Sequence, residues 1–187
     1  MLILAPTSRN IQKIRENIKR GEVVVYPTDT LYGLGVDAFN KQAIKRLFEI
    51  KGRNFNKPVS IMVSSLKEIR KLAWLNKKQE NIVKMILPGP FTVLLRKKKG
   101  VLKILTAGGD RVGLRIPNSK ICMKLSRNLP ITATSANRSG QKPTGDFEKL
   151  KRIFANQVNL ILKGKKLKGR PSIVIDLTKE PFMILRG

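Results

Sequence analysis

The apolar residues of this chain arrive in short runs that stop at proline or glycine, and between them lie segments with an apolar residue at every third or fourth position. Val23-Val24-Val25-Tyr26 stops at Pro27, Val112 to Ile116 stops at Pro117, and Pro130 to Thr134 stops at the Ser135-Ala136-Asn137 turn. Such runs read as buried strands. Ile11, Ile14 and Ile18 before Gly21 have instead the spacing of one helix face, as do Ala43, Ile44, Leu47 and Phe48 after Asn40, and Ile121, Cys122 and Leu125 after a cap at Asn118 or Ser119. Further strands are expected over residues 59–63, 91–95, 160–162, 173–175 and 182–185, with further helices over 65–72, over 77–87 and after Asp146. Strands and helices interleave without strict alternation. That predicts an α/β protein with a twisted mixed β-sheet flanked by helices, rather than a doubly wound parallel sheet. A length of 187 residues with 41% hydrophobic content suits a single domain over residues 1–187.

Composition narrows the chemistry. The chain has no histidine, one cysteine, and 12 acidic residues against 39 basic ones, for a formal net charge of +27. Most acid-base, zinc and thiol mechanisms are excluded on those grounds. Charge of this size repels itself and favours a polyanionic partner, although lysine spread throughout a lysine-rich composition produces the same sum. Cys122 falls in an apolar helical pattern with no histidine to activate it, so it reads as a buried structural thiol in a reducing compartment. No stretch approaches bilayer length, so no membrane association and a cytoplasmic location are expected.

The polar residues cluster in turns. Thr28 to Gly35 is polar and punctuated by glycine, and is expected to cross a surface as a ligand-facing loop. Lys51, Arg53 and Lys57 stand between a helix and a strand, where three close cations repel one another unless an anion lies among them. Arginine forks two phosphate oxygens and lysine acts as a point charge, so the mixture suits a triphosphate. A cation at a helix C-terminus also serves the macrodipole. No Gly-x-x-x-x-Gly-Lys-[Ser/Thr] pattern occurs, and Gly33-Leu34-Gly35 lacks the third glycine of a dinucleotide fingerprint. Phosphate binding must therefore come from side chains on several loops. Ser135 and Asn137 offer a hydroxyl and a carboxamide after a strand, either as an ordinary turn cap or toward a ligand. Arg115, inward on an apolar strand, needs a partner, either an internal acid or a bound carboxylate or phosphate. Gly164 to Ser172, basic and bracketed by glycine, is either an anion-closing loop or an RNA contact.

Taken in order, Tyr26 to Gly35, Lys51-Gly52-Arg53, Lys57-Pro58, Leu87 to Thr92, Val112 to Pro117, Thr134 to Gly140 and Ser172 to Asp176 resemble the YrdC family of L-threonylcarbamoyladenylate synthases, in its short single-domain form. The resemblance implies a twisted mixed sheet around a large, positively charged cavity. It implies a nucleotidyltransferase that makes threonylcarbamoyl-AMP and pyrophosphate from L-threonine, bicarbonate or carbon dioxide, and ATP, for threonylcarbamoyladenosine in tRNA. By matched position, Lys51 and Arg53 would be catalytic and, with Lys57, Asn137 and Arg186, would hold ATP. Thr30, Arg115, Ser135 and Ser172 would surround threonine. Magnesium is expected on the ATP phosphates and water, with no protein ligand assigned. A downstream tRNA-modifying transferase complex is the implied recipient, and tRNA or double-stranded RNA a further partner. Two positions depart from the family: Met62 stands where longer members often carry histidine, and Ile173 replaces the second hydroxyl of a Ser-Thr pair. The competing readings are a non-catalytic RNA-binding protein and carbamoyl-adenylate formation, as in the related domain of hydrogenase-maturation proteins.

Overall fold

A computed structural model describes residues 1–167 and 170–186. Among these residues, eleven strands form one mixed sheet: β1 (Leu2–Leu4), β2 (Val24–Pro27), β3 (Tyr32–Gly35), β4 (Ser60–Met62), β5 (Ala73–Trp74), β6 (Phe91–Lys97), β7 (Arg111–Arg115), β8 (Ile131–Ser135), β9 (Leu160–Leu162), β10 (Ile173–Asp176) and β11 (Met183–Arg186). Their spatial order is β1-β9-β2-β3-β8-β4-β7-β6-β10-β11, with β5 pairing on β6. Parallel pairs (β1 with β9, β2 with β9, β4 with β7, β6 with β10) sit among antiparallel ones, as the irregular interleaving of the sequence predicts.

Among the described residues, six α-helices cover the sheet: α1 (Ser8–Lys19), α2 (Lys41–Lys51), α3 (Leu66–Leu72), α4 (Lys77–Ile86), α5 (Lys120–Ser126) and α6 (Phe147–Phe154). Each begins at a side-chain cap, in order Thr7, Asn40, Ser65, Asn76, Ser119 and Asp146, so each helix start is written locally. Strand alternation then divides the core. Val24 and Tyr26 face α1 and α5, packing with Ile14, Ile18, Cys122 and Leu125. Val23 and Val25 face the opposite layer with Ile44, Leu47, Leu150 and Phe154.

The structure corrects one expectation about placement. Only residues 28–31 form a turn; Tyr32–Gly35 is a wholly buried strand between β2 and β8. The two glycines there are packing slots. A Cβ on Gly33 would stand 2.9 Å from Tyr26 Cζ, and one on Gly35 2.5 Å from Tyr26 Cε1, so the Tyr26 ring lies across the space both leave. Leu2–Leu4 and Ala73–Trp74, too short for pattern to reveal, also join the sheet.

Candidate functional site

Alternation along β7 places Arg111, Gly113 and Arg115 on one face of the sheet. Thr92 and Leu94 on β6, and Ser60 and Met62 on β4, share that face, and together they border a cavity of about 440 Å³. Small-ligand sites run from about 300 to 1,000 Å³. Gly113 makes part of its floor: a Cβ there would lie 2.5 Å from Ser60 Oγ and 3.3 Å from Leu94 Cδ2. On the far wall, β11 carries a bulge, since Val174 pairs with Arg186 while Ile175 pairs with Ile184. The unpaired Leu185 and its neighbour Arg186 therefore both reach the cavity.

Arg115 is 7% exposed and lines this space. Its Nη2 donates to Asp29 Oδ1 at 2.6 Å, and its terminal nitrogens approach Thr30 Oγ at 3.4 Å. Its Nε is buried without a partner among the described residues. The Thr28 hydroxyl is spent on the turn, donating to the Leu31 carbonyl and accepting the N–H groups of Thr30 and Leu31. The internal acid that the sequence left open is thus Asp29.

Arg53 and Arg186 also line the cavity, and each is held by oxygens that carry no charge. Arg53 donates to the carbonyls of Lys57 and Pro58 at 3.2 and 2.8 Å. Arg186 donates to the Ser172 carbonyl and, at 3.2 Å, to its hydroxyl, which in turn meets Thr92 Oγ at 2.9 Å. Burial and then the neighbouring Arg186 lower the pKa of Arg53, while burial and then Arg115 lower that of Arg186. These cations stand in a mutually repelling series. Arg111 differs, because it is paired with Asp176, which is buried and also bound by Thr178.

Of the residues singled out in the sequence, Thr30, Arg53, Arg115, Ser135, Ser172 and Arg186 therefore border one cavity. Lys51, Lys57 and Asn137 are not on its wall. Lys51, 2% exposed, donates from Nζ to the Ser135 carbonyl at 2.5 Å and the Asn137 carbonyl at 2.9 Å. Burial first, and then the Arg53 charge, lower its pKa to about 7. Asn137 spends its carboxamide on the turn, accepting from Ser135 Oγ and donating to the carbonyls of Arg138 and Gln141. Lys57 is exposed. Met62 lines the cavity, so the position where longer members often place histidine offers it an apolar surface.

Sequence reasoning missed Asp29, Thr92, Arg111 and Asp176. The Arg-x-Gly-x-Arg spacing on a strand is the signal that finds Arg111, since residues two and four apart share a face. Of the Gly164–Ser172 segment, Lys168 and Gly169 lie outside the described residues. Its described part sets Pro171 and Ser172 on the cavity wall, and Gly164 donates its N–H to the Tyr32 hydroxyl at 2.9 Å.

Among the described residues no three His, Cys, Asp or Glu side chains gather to hold a metal ion. Asp110, the one carboxylate on the cavity wall among the described residues, is paired with Arg96. These residues do not build a protein-held magnesium site. No helix is long and apolar enough to cross a membrane.

A family model, Sua5_yciO_yrdC, described as telomere recombination, matches residues 16–187. The chain belongs to the Sua5/YciO/YrdC family. A Methanocaldococcus jannaschii relative, provisionally named a threonylcarbamoyl-AMP synthase, is 34% identical over 177 residues, covering 94% of this chain and 84% of its own. The crystal structure of Pyrococcus abyssi Sua5 complexed with L-threonine superposes with a TM-score of 0.95 at 34% identity, covering 100% of this chain and 57% of that one. This chain thus spans little more than half of Sua5. The Escherichia coli YciO structure matches with a TM-score of 0.91 at 28% identity, covering 99% of this chain and 93% of its own.

Proposed function

We propose that this member of the Sua5/YciO/YrdC family is a threonylcarbamoyl-AMP synthase, a nucleotidyltransferase acting on L-threonine, bicarbonate or carbon dioxide, and ATP. The observation that carries the reading is the cavity's charge layout. Among the described residues, a buried arginine paired with Asp29 stands at one part of it, and two arginines without a carboxylate partner stand at another. A relative of 34% identity with this fold is described in complex with L-threonine, and another carries the synthase name.

Arg115 and Thr30 receive the threonine carboxylate, and the hydroxyls of Ser135 and Ser172 flank the amino acid. Arg53 and Arg186 receive ATP phosphates, with the exposed Lys57 adding charge beside them. Lys51 and Asn137 act from behind the wall by fixing the Ser135–Asn137 turn. The threonine amine adds to carbon dioxide, forming a carbamate with loss of one proton. A carbamate oxygen then forms a bond to the α-phosphorus in line as the bond to pyrophosphate breaks. The protein contributes alignment and charge stabilisation, which need no histidine. Magnesium, where ATP brings it, rides on the phosphates.

The product is a reactive mixed anhydride, which suits prompt transfer to tRNA by a downstream transferase, and the surplus positive charge suits tRNA as a neighbour. The test is pyrophosphate release from ATP with each substrate omitted in turn. Release should require both threonine and bicarbonate; release that persists without threonine overturns the assignment. Tight RNA binding with steep salt dependence and no turnover would establish the non-catalytic reading instead.

A further inference from the structure

The four arginines of the cavity are not electrically equivalent. Among the described residues, Arg53 and Arg186 meet only carbonyl and hydroxyl oxygens, whereas Arg111 and Arg115 each hold a carboxylate. The Arg115–Asp29 pair is the more enclosed, with side chains 9% and 10% exposed. Asp29 is not part of the cavity wall, and its second oxygen accepts the Asn118 backbone N–H at 3.0 Å. It is thereby clamped between the 28–31 turn and the exit of β7. Arg115 thus borders the cavity as one half of an ion pair, and its Nε is buried without a partner among the described residues.

Coulomb's law says what such surroundings accept. A molecule with one carboxylate and one ammonium gains from Arg115 and from Asp29 alike. A phosphate dianion gains from Arg115 but is repelled by Asp29, and finds better stabilisation at Arg53 and Arg186, where no carboxylate among the described residues opposes it. At protein dielectric constants such differences readily reach tenfold or more in affinity.

We propose that Asp29 is a positioning and specificity residue. By fixing Arg115 and neutralising it, Asp29 reserves that part of the cavity for a zwitterionic amino acid and directs phosphate groups to Arg53 and Arg186. The proposal deepens the synthase reading and rests on it. Asp29 acts through Arg115 and by its field, without touching substrate. An Asp29 that only offset the cost of burying Arg115 would, on removal, lower stability and weaken both substrates alike.

The experiment is steady-state kinetics of the full chain and its Asp29→Asn variant, with inorganic phosphate as one inhibitor and 3-hydroxybutyrate, the amine-free analogue of threonine, as another. In the wild type, phosphate should compete with ATP and not with threonine. In Asp29→Asn, phosphate should become competitive with threonine as well. The preference for threonine over 3-hydroxybutyrate should shrink about tenfold, equal to about 1.4 kcal/mol, with the loss falling on KM for threonine more than on kcat. Asp29→Glu, which keeps the charge, should restore the wild-type pattern of phosphate inhibition. Phosphate competing with threonine in the wild type overturns the proposal without recourse to a variant that folds poorly. An unchanged inhibition pattern and unchanged preference in Asp29→Asn overturn it too, leaving the synthase reading intact. Wild-type protein without threonine-dependent pyrophosphate release would remove the synthase reading, and this inference with it.

Discussion

The Lys51 ammonium donates to the Ser135 carbonyl at 2.5 Å, tying the last turn of α2 to the end of β8 across 84 residues of sequence. The reverse tie is also present, since the Ser139 N–H donates to the Lys51 carbonyl at 2.8 Å. The Ser135–Asn137 turn is therefore shaped by a lysine that does not itself border the cavity. Replacement by Met keeps the buried stem and removes both bonds of the ammonium, each worth about 1.5–3 kcal/mol for a charged donor. Turnover of Lys51→Met should fall about a hundredfold, and amide exchange at Ser139 should quicken while that of β2 does not. Unchanged exchange at Ser139 would contradict the tie.

Proton linkage at the same residue gives a second expectation. Burial, with Arg53 beside it, lowers the Lys51 pKa to about 7, against about 10.4 for an unfolded lysine. Between those values the unfolded chain binds more protons at this site, so its contribution to stability rises with pH across that window, and the penalty is full below it. The melting temperature of the wild type relative to Lys51→Met should therefore climb from about pH 7 toward about pH 10. Pyrophosphate seated near Arg53 favours the charged lysine, so its binding near pH 8 should take up protons. Calorimetry in two buffers of different ionisation heat should show that uptake in the wild type and lose it in Lys51→Met.

Arg53 and Lys98 make a matched contrast. Arg53 borders the cavity, while Lys98 lies over the Trp74 ring at 4.3 Å and donates to the Arg70 carbonyl. Arg53→Ala should reduce turnover by about a hundredfold or more through lost charge stabilisation, and Lys98→Ala should leave it within about twofold. Equal losses in the two variants would place the phosphates elsewhere.

Gly113 should not tolerate a side chain. Alanine there would put Cβ 2.5 Å from Ser60 Oγ and 3.2 Å from Ser60 Cβ. Overpacking of this kind costs about 1–3 kcal/mol, read as a lower denaturation midpoint. Adding Ser60→Gly should recover most of it, and failure of that rescue would point to a cause other than the Ser60 contact.

Cys122 should behave as an inert thiol. It is fully buried, its Sγ donates to the Pro27 carbonyl at 3.4 Å, and burial pushes its pKa up to about 12. A maleimide should leave the native protein unmodified and label it at one site in denaturant. Rapid native labelling would contradict the packing of α5 against β2.

The helix starts were legible because a cap and the residue three positions on settle them locally: Asn40 accepts the Ala43 N–H and Asn76 that of Gln79. Strand identity was legible wherever an apolar run met a proline. Legibility failed at Tyr32–Gly35, because glycine marks a turn and a packing slot with the same letter, and only the Tyr26 ring distinguishes them. It failed again at Arg111, whose relation to Arg115 depends on knowing that β7 is a strand with one face turned to a cavity.

The order of motifs along the chain was enough to determine the family, because each short string carries the residue types its turn requires. Which charges remain free was decided by the tertiary structure alone. Arg115 meets Asp29 from 86 positions away and Arg111 meets Asp176 from 65, while Arg53 and Arg186 meet only backbone and hydroxyl oxygens among the described residues. Coulomb energy depends on distance through space, and a linear string of letters does not contain that distance.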